Sequence, residues 1–246
     1  MSRAWYFFAL CIVTTALTAC TSMGSDHVHV RQRVDFGPPD ALSLCLLVDD
    51  GIADTMAEAI INTAWRDEAA VYGLRINVVS VRAWRRPAFT SEGIMKALLR
   101  QPLPAGCDRL FALVGRHAGD VLWGLFGLPE VLGAVANDAS THGFAVVAGV
   151  SLNQVFISPP HVVRHEIYHL LGCDEHFNMS RCYDTIATMK RKRLAGADFF
   201  PAWDAVNRRL LVSRDAVNTR LQEVTSGGIS QPHHKRARPA IGEAFI

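Results

Sequence analysis

The residues best able to do chemistry stand together at His165-Glu166-Ile167-Tyr168-His169. Histidines four apart share one face of a helix, so their imidazoles can hold a single divalent cation, and Zn²⁺ suits such a pair. Glu166 lies too near His165 in the chain to be the natural third ligand, but it can reach a water that the cation has acidified. The chemistry implied is hydrolysis, with Glu166 taking a proton from that water as general base while the cation polarises a carbonyl. The flanking residues agree with a helix. Ser158-Pro159-Pro160 offers an N-cap residue and a first-turn proline, and Gly172 is placed to end the helix. Val163, Ile167, Leu170 and Leu171 then form its core side, and His165 and His169 project from an adjoining face.

Just downstream lie further candidates: Glu175 and His176 as ligands, with Asp174 the weaker choice, then Tyr183 and Met189. The stretch from His165 to Gly172 resembles the metzincin clan of zinc peptidases, whose pattern is HExxHxxGxxH followed by a methionine-bearing turn. The resemblance implies zinc held by His165, His169 and a third ligand, with Glu166 catalytic and Gly172 turning the chain back toward the metal. At the eleventh position this chain has Glu175, with His176 one residue later. A turn longer by one residue makes His176 the third ligand, the choice that neutral imidazole favours, and Glu175 is the alternative. Met189 is the candidate for the methionine turn, and Tyr183 for a hydrogen bond to substrate or oxyanion. The resemblance runs from His165 to Met189. It implies a mixed twisted sheet with an active-site helix and a smaller, mainly helical C-terminal part.

Elements to carry such a site are legible upstream. Ala41–Val48 is an apolar run of strand length that ends in Asp49-Asp50-Gly51. Ile52–Tyr72 spaces Ile52, Met56, Ala59 or Ile60, and Ala64 at helical intervals. Leu74–Trp84 reads as a strand, Ser91–Arg100 as a short helix and Arg109–Val114 as a third strand, an order that favours an open α/β sheet. Gly115–Asn137 is glycine-rich without a clear period, a strand with loops or a lid, and Gly143–Val150 reads as a strand that could wall a cleft. Phe200–Val224 reads as one or two packed helices.

Arg3 followed by the apolar run Ala4–Leu17 reads as an export signal, too short to span a bilayer comfortably. Leu17-Thr18-Ala19-Cys20 resembles the lipobox of bacterial lipoproteins, which implies lipidation at Cys20 and, with Thr21 and Ser22 following, an outer-membrane protein facing the periplasm. The organisation expected is a signal over 1–19, a tether over 20–40, a metallopeptidase domain over 41–225 and a flexible tail over 226–246. His27 and His29 in the tether and the His233-His234-Lys235-Arg236 run in the tail read as solvated. Beyond Cys11 and Cys20 the cysteines are Cys45, Cys107, Cys173 and Cys182, an even set that suits an oxidising compartment. The local pairing is Cys173 with Cys182, leaving Cys45 for Cys107; free buried thiols are the alternative.

Composition narrows the classes. A chain of 246 residues, half hydrophobic, can bury a full core, and its net charge of +2 comes from scattered basic residues without a nucleic-acid footprint. The sequence therefore points to a zinc peptidase acting on protein or peptide, anchored to a membrane by lipid. Two other readings stay open: a zinc amide hydrolase acting on peptidoglycan, and a non-catalytic lipoprotein with a structural zinc. Retention of Glu166 argues against the latter, because a structural site needs no general base.

Overall fold

The structure is a computed structural model that describes residues 23–24, 27–116, 131–148, 158–174 and 179–226. The signal segment, Cys20, Glu175, His176 and the tail beyond Ser226 lie outside the described residues. In chain order the elements are α1 (Val28–Arg31), β1 (Asp40–Val48), α2 (Asp54–Tyr72), β2 (Leu74–Ala83), α3 (Ser91–Leu99), β3 (Arg109–Gly115), β4 (Gly133–Val135) and β5 (His142–Ala148). They continue with α4 (Pro159–Leu170), α5 (Met179–Leu194), β6 (Ala202–Asp204), β7 (Arg209–Leu211) and α6 (Arg214–Ser226). No helix among the described residues is long and apolar enough to cross a membrane.

β1, β2, β3 and β5 are parallel, and β4 joins β5 antiparallel, giving the order β2-β1-β3-β5-β4. This mixed, mostly parallel sheet between helices is the α/β architecture that the alternating pattern predicts. Its central strands read as continuous apolar runs because both faces are covered. Leu42, Leu44, Leu46 and Val48 of β1 with Phe111 and Leu113 of β3 face α2, α4 and α5. Cys45, Leu47, Leu110, Ala112 and Val114 face α3, α6 and the β6–β7 hairpin.

α2 starts two residues after its predicted beginning, and of the positions predicted for its core Ile52 and Ala64 are buried and Ile60 packs against the core. Its buried stripe is Ala57, Ile61, Ala64, Trp65, Glu68 and Tyr72, while Met56 is exposed. A glutamate in the stripe hides it from a reading that counts only apolar residues. The helix ends at Gly73, whose φ of 54° is the left-handed conformation that glycine takes freely. Lys190 of α5, fully buried, donates from Nζ to Tyr72 O at 2.6 Å and Gly73 O at 3.2 Å, satisfying carbonyls at that helix end.

Two further expectations need correction. The region expected to be one or two helices from Phe200 to Val224 begins with the β6–β7 hairpin, and only Arg214–Ser226 is helical. Strands of three residues are too short for alternation to register. The tether is also not free of the domain: Met23 and Phe36 are buried, and α1 packs against α5. Both disulfides of the local pairing scheme form, Cys45–Cys107 with Cα atoms 5.7 Å apart and Cys173–Cys182 at 4.7 Å.

Candidate functional site

The HExxH segment occupies the last two turns of α4. Ser158 precedes the helix with extended backbone and Pro159 and Pro160 open it, as their restricted φ favours. Ser158 makes no side-chain cap; its Oγ instead lies 2.8 Å from His161 Nδ1. Gly172, with φ 77°, follows the helix end and lies close over two side chains. A Cβ there would meet Trp203 Cβ at 2.6 Å and Met189 Cε at 3.0 Å. Val163, Ile167, Leu170 and Leu171 are buried, as the helical spacing predicts, and nearly the whole circumference of α4 is covered between sheet and α2.

His165 and His169 converge. Their Nε2 atoms are 3.1 Å apart and their ring centroids 4.8 Å apart. His169 Nδ1 donates to Cys173 O at 2.6 Å, a bond that fixes the tautomer and turns Nε2 toward His165 as a lone-pair donor. Two imidazole nitrogens bound to one tetrahedral zinc at 2.0–2.1 Å stand about 3.4 Å apart, close to the separation found. Glu166 is buried, and its Oε2 has no hydrogen-bond partner. Burial pushes its carboxyl well above the usual carboxylate range. Such a carboxyl needs a positive neighbour in order to ionise.

The carboxyl reaches its place because β4 leaves room. A Cβ on Gly133 would fall 2.5 Å from Glu166 Oε1 and 2.7 Å from its Cδ. Beyond His169, a shallow depression is lined by Asn137, Ser140, Cys173, Asp174 and Trp203.

The end of α4 is held by a buried arginine that the sequence reading passed over. Arg109, fully buried at the start of β3, donates from Nε to Leu170 O at 2.9 Å and from its Nη atoms to Asp108 O, Phe200 O and Pro201 O. Its guanidinium carbon lies 5.6 Å from the Phe199 ring centroid. Burial lowers its pKa to about 10, so it remains charged at neutral pH. A charged residue heading an apolar strand is a usable signal, because arginine is rarely buried without partners. Behind α4, Tyr168 Oη meets Tyr72 Oη at 2.9 Å, and Glu68 lies 3.7 Å from Arg31 and 3.6 Å from Arg164.

Other candidates fall differently. Tyr183 is fully buried, with its ring 6.3 Å from that of Tyr72, and packs in the core behind the helix. Met189 is fully buried beneath Gly172, but it belongs to the body of α5 and not to a turn. Glu175 and His176, between the disulfide cysteines, lie outside the described residues.

The metzincin resemblance is not upheld. No family model matches the chain, and no curated protein matches it in sequence. Among the described residues no group of three or more His, Cys, Asp or Glu side chains is placed to hold a metal, so the three-ligand centre that the clan implies is absent there. A five-residue motif is a hypothesis that its structural context must confirm, and twenty-five residues of likeness do not make a family. Among solved structures, one titled "Structure of a chaperone-substrate complex" aligns with 54% of this chain and 23% of that chain, at 14% identity and a TM-score of 0.39. The aligned part is under a quarter of that protein, and likeness at this level carries no argument about fold or function.

Proposed function

We propose that the chain is a zinc-dependent hydrolase of peptide bonds, exported and held in the bacterial envelope by a lipid on Cys20. The observation that carries the reading is the convergence of His165 Nε2 and His169 Nε2 at 3.1 Å on the helix that also carries the buried carboxyl of Glu166. His165 and His169 would hold the ion, with His176 or Glu175 as the further ligand. Zinc when bound supplies Lewis acidity toward water and carbonyl oxygen. Glu166 accepts a proton from the attacking water and returns it to the leaving amine. Cys173 O keeps His169 in the tautomer that presents the Nε2 lone pair on the side of His165.

The choice of a peptide over another amide is supported by β4. Gly133 places this strand against Glu166, and β4 is the last strand of the sheet, with no further strand paired to its outer side among the described residues. Backbone N–H and C=O groups on such an edge can align an extended peptide. Both disulfides agree with an oxidising compartment.

The test is cleavage of an unfolded polypeptide by zinc-replete protein, beside Glu166→Gln and a chelator-treated sample. We expect Glu166→Gln to lower kcat by about 10²–10⁴-fold while keeping its zinc. Equal activity in the variant would remove Glu166 from the reaction, and no cleavage by the wild type would remove the peptidase assignment.

A further inference from the structure

The segment expected as a tether lies on the domain. Met23 is fully buried, and Gly24 (φ 84°) is pressed so closely that a Cβ would come within 2.2 Å of Tyr168 Oη. Arg31 Nη1 donates back to Gly24 O, and Arg31 also faces Glu68 at 3.7 Å. From there α1 packs against α5, and Gly37 lies against Leu194 at the end of α5. Cys20 precedes Met23 by three residues, which span at most about 11 Å. A lipid at Cys20 therefore brings this face of the domain to the bilayer.

The neighbouring helix end and the docked segment carry the chemistry of a membrane contact. The end of α5 reads Lys190-Arg191-Lys192-Arg193-Leu194; Arg191 and Lys192 are exposed, and Leu194 is 52% exposed. Arg33 and Val28 are exposed on the docked segment. Among the described residues, no carboxylate is ion-paired with Arg33, Arg191, Lys192 or Arg193. Arg191 and Arg193 instead donate to Thr188 Oγ1 and Ala197 O, bonds that leave their charge uncompensated. Asp35 and Asp40 act on the buried Lys190, whose own charge offsets part of theirs. Favourable interaction with the helix dipole accounts for basic residues in the last turn of α5. It does not account for the exposed Leu194 or for Arg33 on another element.

We propose that the end of α5 and the docked segment from Val28 to Gly37 form a docking surface for anionic phospholipid head groups. The inference deepens the proposed anchoring at Cys20, on which it rests for the membrane to be the partner met. Cationic side chains around an exposed leucine match such an interface: lysine and arginine meet phosphate, and the apolar tip enters the head-group layer. The lipid then supplies attachment and the surface supplies orientation, so the domain sits against the membrane.

The test is vesicle co-sedimentation of the mature chain, residues 20–246, carrying Cys20→Ser so that no lipid contributes. Binding is expected to vesicles containing phosphatidylglycerol, at least tenfold above phosphatidylcholine alone, and to weaken as salt rises. Arg191→Gln and Lys192→Gln should each lower it about fivefold, the effect of one basic residue near an anionic surface. Leu194→Ser should lower it further, and Arg100→Glu, at the end of α3 across the sheet, should leave it unchanged. Equal binding to both vesicle types, no binding, or binding insensitive to Arg191 and Lys192 would overturn the surface. Lipid labelling of Cys20 in the full chain reads the anchoring separately. A labelled chain whose unlipidated form ignores anionic vesicles overturns the docking surface alone, and an unlabelled chain with vesicle binding intact overturns the anchoring alone.

Discussion

Glu166 depends on a glycine that no spacing rule connects to it. Gly133 lies thirty-three positions earlier, on a strand in a glycine-rich stretch without period, and only the packed sheet brings the two together. Gly133→Ala should push the carboxyl aside and lower kcat at least tenfold with zinc content unchanged; unchanged kcat would show that the carboxyl's position there is immaterial. The convergence of His165 and His169 was legible because four-residue spacing on a helix is a local property. Gly133, Arg109 and the Cys173 carbonyl were not, because each acts across elements. His142 gives a pH prediction at the same scale. It is fully buried between Thr141 Oγ1 and Gln101 O, and burial lowers its pKa to about 4 from the ordinary 6.5. Between those values the unfolded chain binds the proton and the folded chain does not. Stability from this group is therefore complete above pH 6.5 and declines as pH falls toward 4, by on the order of 3 kcal/mol. His142→Gln keeps a donor for Gln101 O but cannot ionise, so the difference in melting temperature between wild type and variant should change steadily from pH 7 to pH 4.5. A constant difference would contradict the assignment.

The segment after α4 is where two elements are locked together. The Cys173–Cys182 bridge ties the end of α4 to the start of α5, and the carbonyl of Cys173 is the one that holds His169. The double variant Cys173→Ser, Cys182→Ser should lose about 2–3 kcal/mol in denaturant unfolding, the entropy of a loop this short. It should also release zinc faster on chelation, because His169 loses its fixed acceptor. Unaltered zinc release would mean that α4 alone sets the imidazole. The strands and the longer helices could be read from periodicity and their punctuation. The β6–β7 hairpin and the full buried stripe of α2 could not, the first for its brevity and the second because Glu68 is a core residue held by Arg31 and Arg164.

Across the whole molecule, the sheet is covered on both faces and the N-terminal segment closes over the helix that carries the histidines. Low hydrophobicity made residues 20–40 read as a tether, yet Met23 and Phe36 contribute buried side chains, and Gly24 permits the close approach to Tyr168. Met23→Ala in the mature chain should cost about 2–5 kcal/mol, measured as a shift in denaturant midpoint. A shift under about 0.5 kcal/mol, the range of ordinary surface substitutions, would show that the segment is free in solution.

The central claim is that His165 and His169 together hold a catalytic zinc, and elemental analysis of purified, zinc-replete protein tests it most directly. The account predicts one equivalent of zinc in the wild type and in Glu166→Gln, and its loss in His165→Ala and in His169→Ala. A wild type without zinc, or one whose zinc survives both histidine substitutions, would contradict it.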